Sequence, residues 1–215
     1  MDATPHHDLR VDGFGERALL VRAVDQGSIH TLAAGLLGAL AAGRLADVVP
    51  GDGTLLVIVD GTADGEAAAR EAIAAAAAHA PDPTAPGRHV IPVRYGGTDG
   101  PDLDDVARLA GRTPDDVVAL HTGRDHPVLF IGFAPGFPYI GGLAPELVMP
   151  RLATPRTSTP PGSVAIAEAY TGIYPAALPG GWRVIGRTAT PMFDPRVDPP
   201  TTLLPGDLVR FEAIR

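Results

Sequence analysis

A chain of 215 residues with a net charge of −8 can hold one large domain or two small ones, and its acidity argues against a nucleic-acid partner. Hydrophobic residues make up 45% and charged residues 20%, with no apolar run of the roughly 18 residues that a membrane span requires. All 17 basic residues are arginine and there is no cysteine, which rules out a Walker lysine loop, a Schiff-base lysine, a Ser-Lys pair, a thiol nucleophile and a thiolate metal site in this chain.

The opening residues Met1-Asp2-Ala3-Thr4-Pro5 carry acid and proline where a signal peptide has basic and then apolar residues, so a cytoplasmic protein is expected. Leu9 to Val21 reads as two short strands about a turn near Gly13 and Gly15, or as one bent strand. A helix is predicted from Ser28, with Ile29, Leu32, Ala33, Leu36, Leu37 and Leu40 on one apolar face and Gly43 past its end. Thr54 to Asp60 is a buried strand between glycines. Glu66 to His79 is an alanine-rich helix that Pro81 must follow. These elements make a small α/β unit over residues 1–82, and Pro81, Pro83, Pro86 and Gly87 form a stiff connector.

The second unit, residues 88–215, has a different texture. A strand at His89–Tyr95 precedes a short acidic helix at Asp102–Ala110. A second helix opens at Thr113-Pro114-Asp115-Asp116, where Thr suits the N-cap, Pro the first helical position and the acids the helix dipole. Short strands at Val128–Phe133, Ser163–Ala167, Gly172–Tyr174, Trp182–Gly186 and Leu208–Ile214, closely punctuated by Gly and Pro, predict a β-barrel rather than a parallel sheet. The fold class is α+β.

Three segments exceed what barrel turns need. They are Gly132–Leu143, Pro150–Arg156 leading to Pro161-Gly162-Ser163-Val164, and Thr171–Pro175 followed by Pro179–Thr188. Glycines permit close backbone approach to a ligand, and prolines stiffen the loops. Phe133, Phe137, Tyr139, Tyr174 and Trp182 are candidates to wall a pocket. Arg151, Arg156, Arg183 and Arg187 are candidates to clamp a carboxylate or phosphate in bidentate fashion. Pro135, Gly136, Ser163 and Thr171 complete the candidate substrate-binding set. Ser163 lacks a Gly-x-Ser-x-Gly elbow and any lysine to activate it, so it reads as a strand-start or ligand-binding residue. His121, just past the Thr113-capped helix, is a candidate general base or a structural histidine. Asp125 and His126 lack a third ligand at useful spacing, so no metal site is assigned.

The run of motifs resembles the PxpB/KipI family of 5-oxoprolinase components, also known as allophanate hydrolase subunit 1. Tyr95-Gly96-Gly97, the Gly132–Leu143 loop, Pro150-Arg151-Leu152 with Pro155-Arg156, Pro161-Gly162-Ser163-Val164, Thr171–Pro175 and Pro179–Thr188 occur in the family's order over about 95 residues. Ala167-Glu168-Ala169-Tyr170 departs from the Ala-Gly-x-Gln expected there, which puts the substrate in question.

The resemblance implies a ferredoxin-like N-terminal domain and a cyclophilin-like barrel. It implies a non-autonomous subunit of a 5-oxoprolinase whose complex uses ATP to open a small lactam to glutamate. The implied partners are a PxpC-like chain (allophanate hydrolase subunit 2) and a PxpA-like chain, with His121 and Arg156 as catalytic candidates. It also admits a KipI-type regulator of a sensor kinase, or a component of a urea-type carboxyltransferase system. The aromatic loops, with Phe137, Tyr139 and Trp182 exposed, are expected to form or border the partner interface.

Overall fold

The computed structural model describes residues 9–59, 61–62, 64–79 and 85–215. Met1 to Pro5, Asp60, Pro81 and Pro83, named above, lie outside them. Backbone contacts divide the chain into two compact units that meet at Ala85 and Pro86.

The N-terminal unit is a four-stranded antiparallel sheet with two helices. Strands β1 (Arg10–Gly13) and β2 (Ala18–Arg22) pair about the Gly15 turn, and β4 (Thr54–Ile58) pairs with β2 on its other side. The unpredicted β3 (Asp47–Gly51) closes the order β1-β2-β4-β3. It carries Pro50, which a sheet tolerates at an edge, where the missing N–H faces away from the ladder. The register sets Leu19 opposite Val57 and Val21 opposite Leu55, so one face of the sheet is continuously apolar.

That face packs against α1 (Gln26–Ala41) and α2 (Gly65–Ala78). Helix α1 starts before Ser28 because Asp25 is the N-cap, its carboxylate accepting from the Ser28 N–H at 2.9 Å. Ile29, Leu32 and Leu36 are buried as the periodicity predicts, whereas Leu37 faces out.

The C-terminal unit is a closed barrel of seven strands in the order β10-β7-β6-β13-β5-β12-β9. These are β5 (Arg88–Tyr95), β6 (His126–Ile131), β7 (Pro138–Ile140), β9 (Ser163–Ala167), β10 (Tyr170–Ile173), β12 (Arg183–Arg187) and β13 (Leu208–Ile214). All neighbours are antiparallel except β13 and β5, which run parallel from Leu208 beside Arg88 to Ile214 beside Arg94. Helices α3 (Leu103–Ala110) and α4 (Pro114–Thr122) connect β5 to β6. Helix α4 has a full capping box: Thr113 Oγ1 accepts from the Asp116 N–H, and the Asp116 carboxylate accepts from the Thr113 N–H.

Every residue of β9 is buried, because both faces of the strand are covered. Val164 and Ile166 point into the barrel core with Ile91, Val128, Ile140 and Phe211. Ala165 and Ala167 point the other way, into a second apolar layer with Phe137, Tyr174, Trp182 and Val184. A ribbon of β8 (Arg156–Thr159) and β11 (Leu178–Gly180) lies outside the barrel sheet. The second apolar layer carries the candidate site.

Candidate functional site

His121 lies in the last turn of α4, fully buried, and its ring stacks on Phe211 with centroids 4.3 Å apart. Its Nε2 lies 2.9 Å from Thr171 Oγ1, and its Nδ1 lies 2.7 Å from the Tyr95 hydroxyl. Thr171 donates its own proton to the Ala165 carbonyl, so Nε2–H donates to Thr171 and Nδ1 accepts from Tyr95. Burial first, and the neighbouring His126 second, hold the His121 pKa well below the ordinary histidine range. Burial likewise pushes the Tyr95 phenol up.

A general base needs a free lone pair that faces substrate, and both nitrogens of His121 are engaged. Of the two readings that the sequence leaves open for His121, the geometry therefore favours the structural one: with the buried Thr171 it pins helix α4 to strands β5 and β10. Tyr95 was legible only as part of a Tyr-Gly-Gly motif; its pairing with His121 joins residues 26 apart in sequence.

The two buried imidazoles predict an acid effect. The His126 pKa is also lowered by burial, although its ring nitrogens face the His121 and Gly141 carbonyls. The unfolded chain, with ordinary histidines, then binds more protons than the folded one below about pH 6.5, so stability falls as pH falls through that value. Each histidine contributes at most about 1.4 kcal/mol per pH unit. Denaturant unfolding between pH 7.5 and 5.0 checks this, in a window above most carboxylate titration. A flat profile would show that both histidines are charged or exposed in the fold.

The aromatic residues converge on the second apolar layer. The turn between β6 and β7 is closed by Ala134 N–H to the Gly132 carbonyl at 2.8 Å and Phe137 N–H to the Ala134 carbonyl at 3.0 Å. Gly136 there has φ +76°, and a Cβ on it would meet Phe193 Cβ at 2.7 Å and the Met192 carbonyl at 2.8 Å. Its small size thus serves packing against residues 192–193.

Phe137 lies at the centre of the layer, edge-on to Tyr174, Trp182, Tyr139 and Phe133 at centroid distances of 5.1, 5.3, 5.3 and 5.4 Å. The β6–β7 register sets Phe130 opposite Tyr139, and their rings stack at 4.3 Å. Tyr170 meets Tyr139 edge-on at 5.6 Å. Phe130 carries no signal in the sequence and is found only through that pairing.

Burial corrects the expectation of an exposed aromatic interface. Phe137 is 1% exposed and Trp182 5%, while Tyr139 is half-buried. Tyr174 is also buried, with its hydroxyl 2.0 Å from where a Cβ on Gly180 would stand, which makes glycine obligatory in β11. Phe133 alone of the five predicted aromatics is presented to solvent, 61% exposed and at φ +68°, a backbone region that side chains other than glycine rarely adopt. Pro135, beside it, is exposed as well. Strain of this kind collects at functional sites.

The arginines along this rim all face acids. Arg156 pairs with Asp102 at 2.7 Å, and the other oxygen of that carboxylate accepts from the Val184 N–H at 2.7 Å. Arg183 is held by Asp105 and donates to the Pro150 carbonyl. Arg187 donates to the Pro161 carbonyl and lies 4.0 Å from Asp99. Arg151 pairs with Glu168 at 3.2 Å. Arg156 and Arg183 thus tie α3 and its N-terminal turn to β12 and β8, whereas the pair of Arg151 with Glu168 stays open to solvent. Ser163 is buried at the start of β9, where its carbonyl accepts from the Tyr174 N–H at 3.0 Å.

The candidate site is therefore narrower than the sequence set. It holds Phe133, Pro135 and Tyr139 on the β6–β7 side, with Tyr170, Glu168 and Arg151 beside them and Phe137, Tyr174 and Trp182 as the buried floor. Among the described residues, no group of three His, Cys, Asp or Glu could hold a metal ion, and no helix is long and apolar enough to cross a membrane.

The family of carboxyltransferase domains, subdomains C and D, matches residues 9–203. The chain is 45% identical over 124 residues to the 5-oxoprolinase B subunit of Bacillus subtilis (strain 168), covering 58% of this chain and 52% of that one. It is 52% identical over 121 residues to the 5-oxoprolinase B subunit of Escherichia coli O157:H7, covering 56% of each. The chain thus spans about half the length of the curated relatives it matches. The crystal structure of TTHA0988 superposes with a TM-score of 0.80 at 33% identity, covering 93% of this chain and 40% of that one.

Proposed function

We propose that this chain, which belongs to the family of carboxyltransferase domains, subdomains C and D, works as one component of an ATP-dependent 5-oxoprolinase. The observation that carries the reading is the 45% and 52% identity to the B subunits of two bacterial 5-oxoprolinases. The geometry of the barrel supports it. A flat five-membered lactam offers an apolar ring edge and a strongly polar amide, and the exposed Phe133 and half-buried Tyr139, both packed on Phe137, offer aromatic surface to such a ring.

ATP would supply a phosphoryl group to the lactam oxygen, leaving ADP, and so activate the poorly electrophilic carbonyl carbon. Two of the rim arginines, Arg156 and Arg183, are committed to Asp102 and Asp105, and the chain has no lysine, which favours a nucleotide site outside this barrel. The nucleotide is accordingly assigned to the partners, a PxpC-like chain and a PxpA-like chain. The role left to this chain is to bind and orient the lactam.

In this reading the barrel is of the cyclophilin-like type and the N-terminal unit is ferredoxin-like. Strands β2, β3 and β4 with α1 and α2 follow the βαββα part of that fold. The fourth strand's place, next to β2, is filled by β1 from the N-terminal side.

Phe133→Ala tests the lactam surface without disturbing the core, since the side chain faces solvent. In the assembled enzyme KM for 5-oxoproline is expected to rise about five- to thirtyfold, the loss of an apolar contact worth about 1–2 kcal/mol. The melting temperature should stay unchanged. Wild-type steady-state kinetics in this variant would remove the aromatic rim from the substrate site.

A further inference from the structure

Glu168 sits where a side chain is costly. It is the first residue of the two-residue turn between β9 and β10, whose register sets Tyr170 opposite Ala167, and its φ is +54°. Glycine adopts that conformation freely, so folding alone gives no reason for glutamate here. The backbone of Glu168 is anchored all the same: its N–H donates to the Met149 carbonyl at 2.6 Å, and its carbonyl accepts from the Met149 N–H at 3.3 Å. The turn is thereby fixed, and the carboxylate is delivered to Arg151, 3.2 Å away.

This pair differs from the other arginine–acid pairs of the rim. The side chains of Arg151 and Glu168 are 53% and 55% exposed, against 31% and 11% for Arg156 with Asp102. Asp102 is also locked by a backbone N–H. An ion pair as open as Arg151–Glu168 is weak and readily exchanged. It also lies at the aromatic rim: the Tyr170 ring, two residues past Glu168, packs on Tyr139, whose phenol burial pushes up while the Arg151 and Glu168 charges act on it in opposite directions.

We propose that Arg151 is the seat for the carboxylate of the substrate and that Glu168 is an internal carboxylate that occupies the seat until substrate displaces it. The inference rests on the 5-oxoprolinase reading and deepens it, because it assigns the two ends of a lactam acid. The ring lies on Phe133 and Tyr139, and the carboxylate exchanges with Glu168 on the Arg151 guanidinium. Glu168 then sets specificity: a lactam without a carboxylate has nothing with which to displace it.

The test is equilibrium binding to the assembled complex, without ATP, of 5-oxoproline and of 2-pyrrolidinone, the same ring without the carboxylate. Glu168→Gln keeps the shape of the side chain and removes the competing charge. It should tighten 5-oxoproline about two- to fivefold, the worth of an exposed ion pair, and leave 2-pyrrolidinone unchanged. Arg151→Gln should weaken 5-oxoproline about ten- to a hundredfold through the lost charge-assisted hydrogen bonds, again without effect on 2-pyrrolidinone.

If Glu168→Gln changes neither ligand, or both equally, the displacement proposal falls while the lactam reading stands. If neither lactam binds the wild-type complex, the lactam reading falls, and the same variants titrated with glutarate decide the seat. Tightening by Glu168→Gln and weakening by Arg151→Gln would keep the carboxylate seat with a different acid as substrate. No response to either variant would overturn it.

Discussion

Phe137→Asp is expected to leave no folded barrel at neutral pH. Phe137 is 1% exposed and makes ring contacts with Phe133, Tyr139, Tyr174 and Trp182, so it is the one residue on which the second apolar layer is centred. Truncating a buried Phe alone costs about 3–5 kcal/mol. Placing a carboxylate in the vacated space adds the desolvation of an unpaired charge, about several kcal/mol more even after relaxation. The described contacts of Phe137 are aromatic and aliphatic, so the buried charge gains no cation. The sum reaches the whole stability of a typical domain, about 5–15 kcal/mol.

Near-UV circular dichroism and amide dispersion in NMR spectra would register the loss. Phe133→Asp, in the same turn on an exposed residue, is the control and should keep the fold. A folded Phe137→Asp protein that merely failed to bind its partners would return Phe137 to the surface and revive the interface that its burial argues against.

Much of the fold is legible in the sequence because local rules and tertiary packing agree. The strands Ser163–Ala167 and Leu208–Ile214 are bounded as their apolar runs and flanking Gly and Pro suggest. Helix α4 follows from Thr113, Pro114 and the two acids, all of which act within one turn. Four strands are not legible. Strands β3, β7, β8 and β11 have three to five residues, and all but β8 contain proline. Each is a strand only because a neighbour supplies its ladder, and the pairing of β8 with β11 joins Thr159 to Leu178 across a long loop.

The candidate site was legible in residue type and not in orientation. The Gly/Pro/aromatic motifs marked the right region. They could not say that Phe137, Tyr174 and Trp182 would turn inward while Phe133 turned out. That choice depends on the geometry of the turn through Ala134, Pro135 and Gly136 and on which face of β9 the layer covers. The arginines show the same gap. Composition shows 17 guanidinium groups, but their acids, such as Asp102 for Arg156, lie 54 positions away and on a different element. His121 was legible as a special residue, yet a ring that ends a helix in solvent and one sealed on Phe211 share the same local sequence.

The most direct measurement is turnover by the chain on its own. Neither of the two candidates for base and nucleophile is accessible: His121 is sealed with both nitrogens engaged, and Ser163 is buried in β9. On the rim, Arg156 and Arg183 are committed to Asp102 and Asp105. Binding and orienting a lactam do not open it. ADP and glutamate formation from 5-oxoproline should therefore be measured with this chain alone, with each of the PxpC-like and PxpA-like partners, and with both. Background rates are expected for the chain alone, and ATP-coupled glutamate formation only in the full assembly. Robust, ATP-coupled turnover by the isolated chain would contradict the assignment of this protein as a binding component.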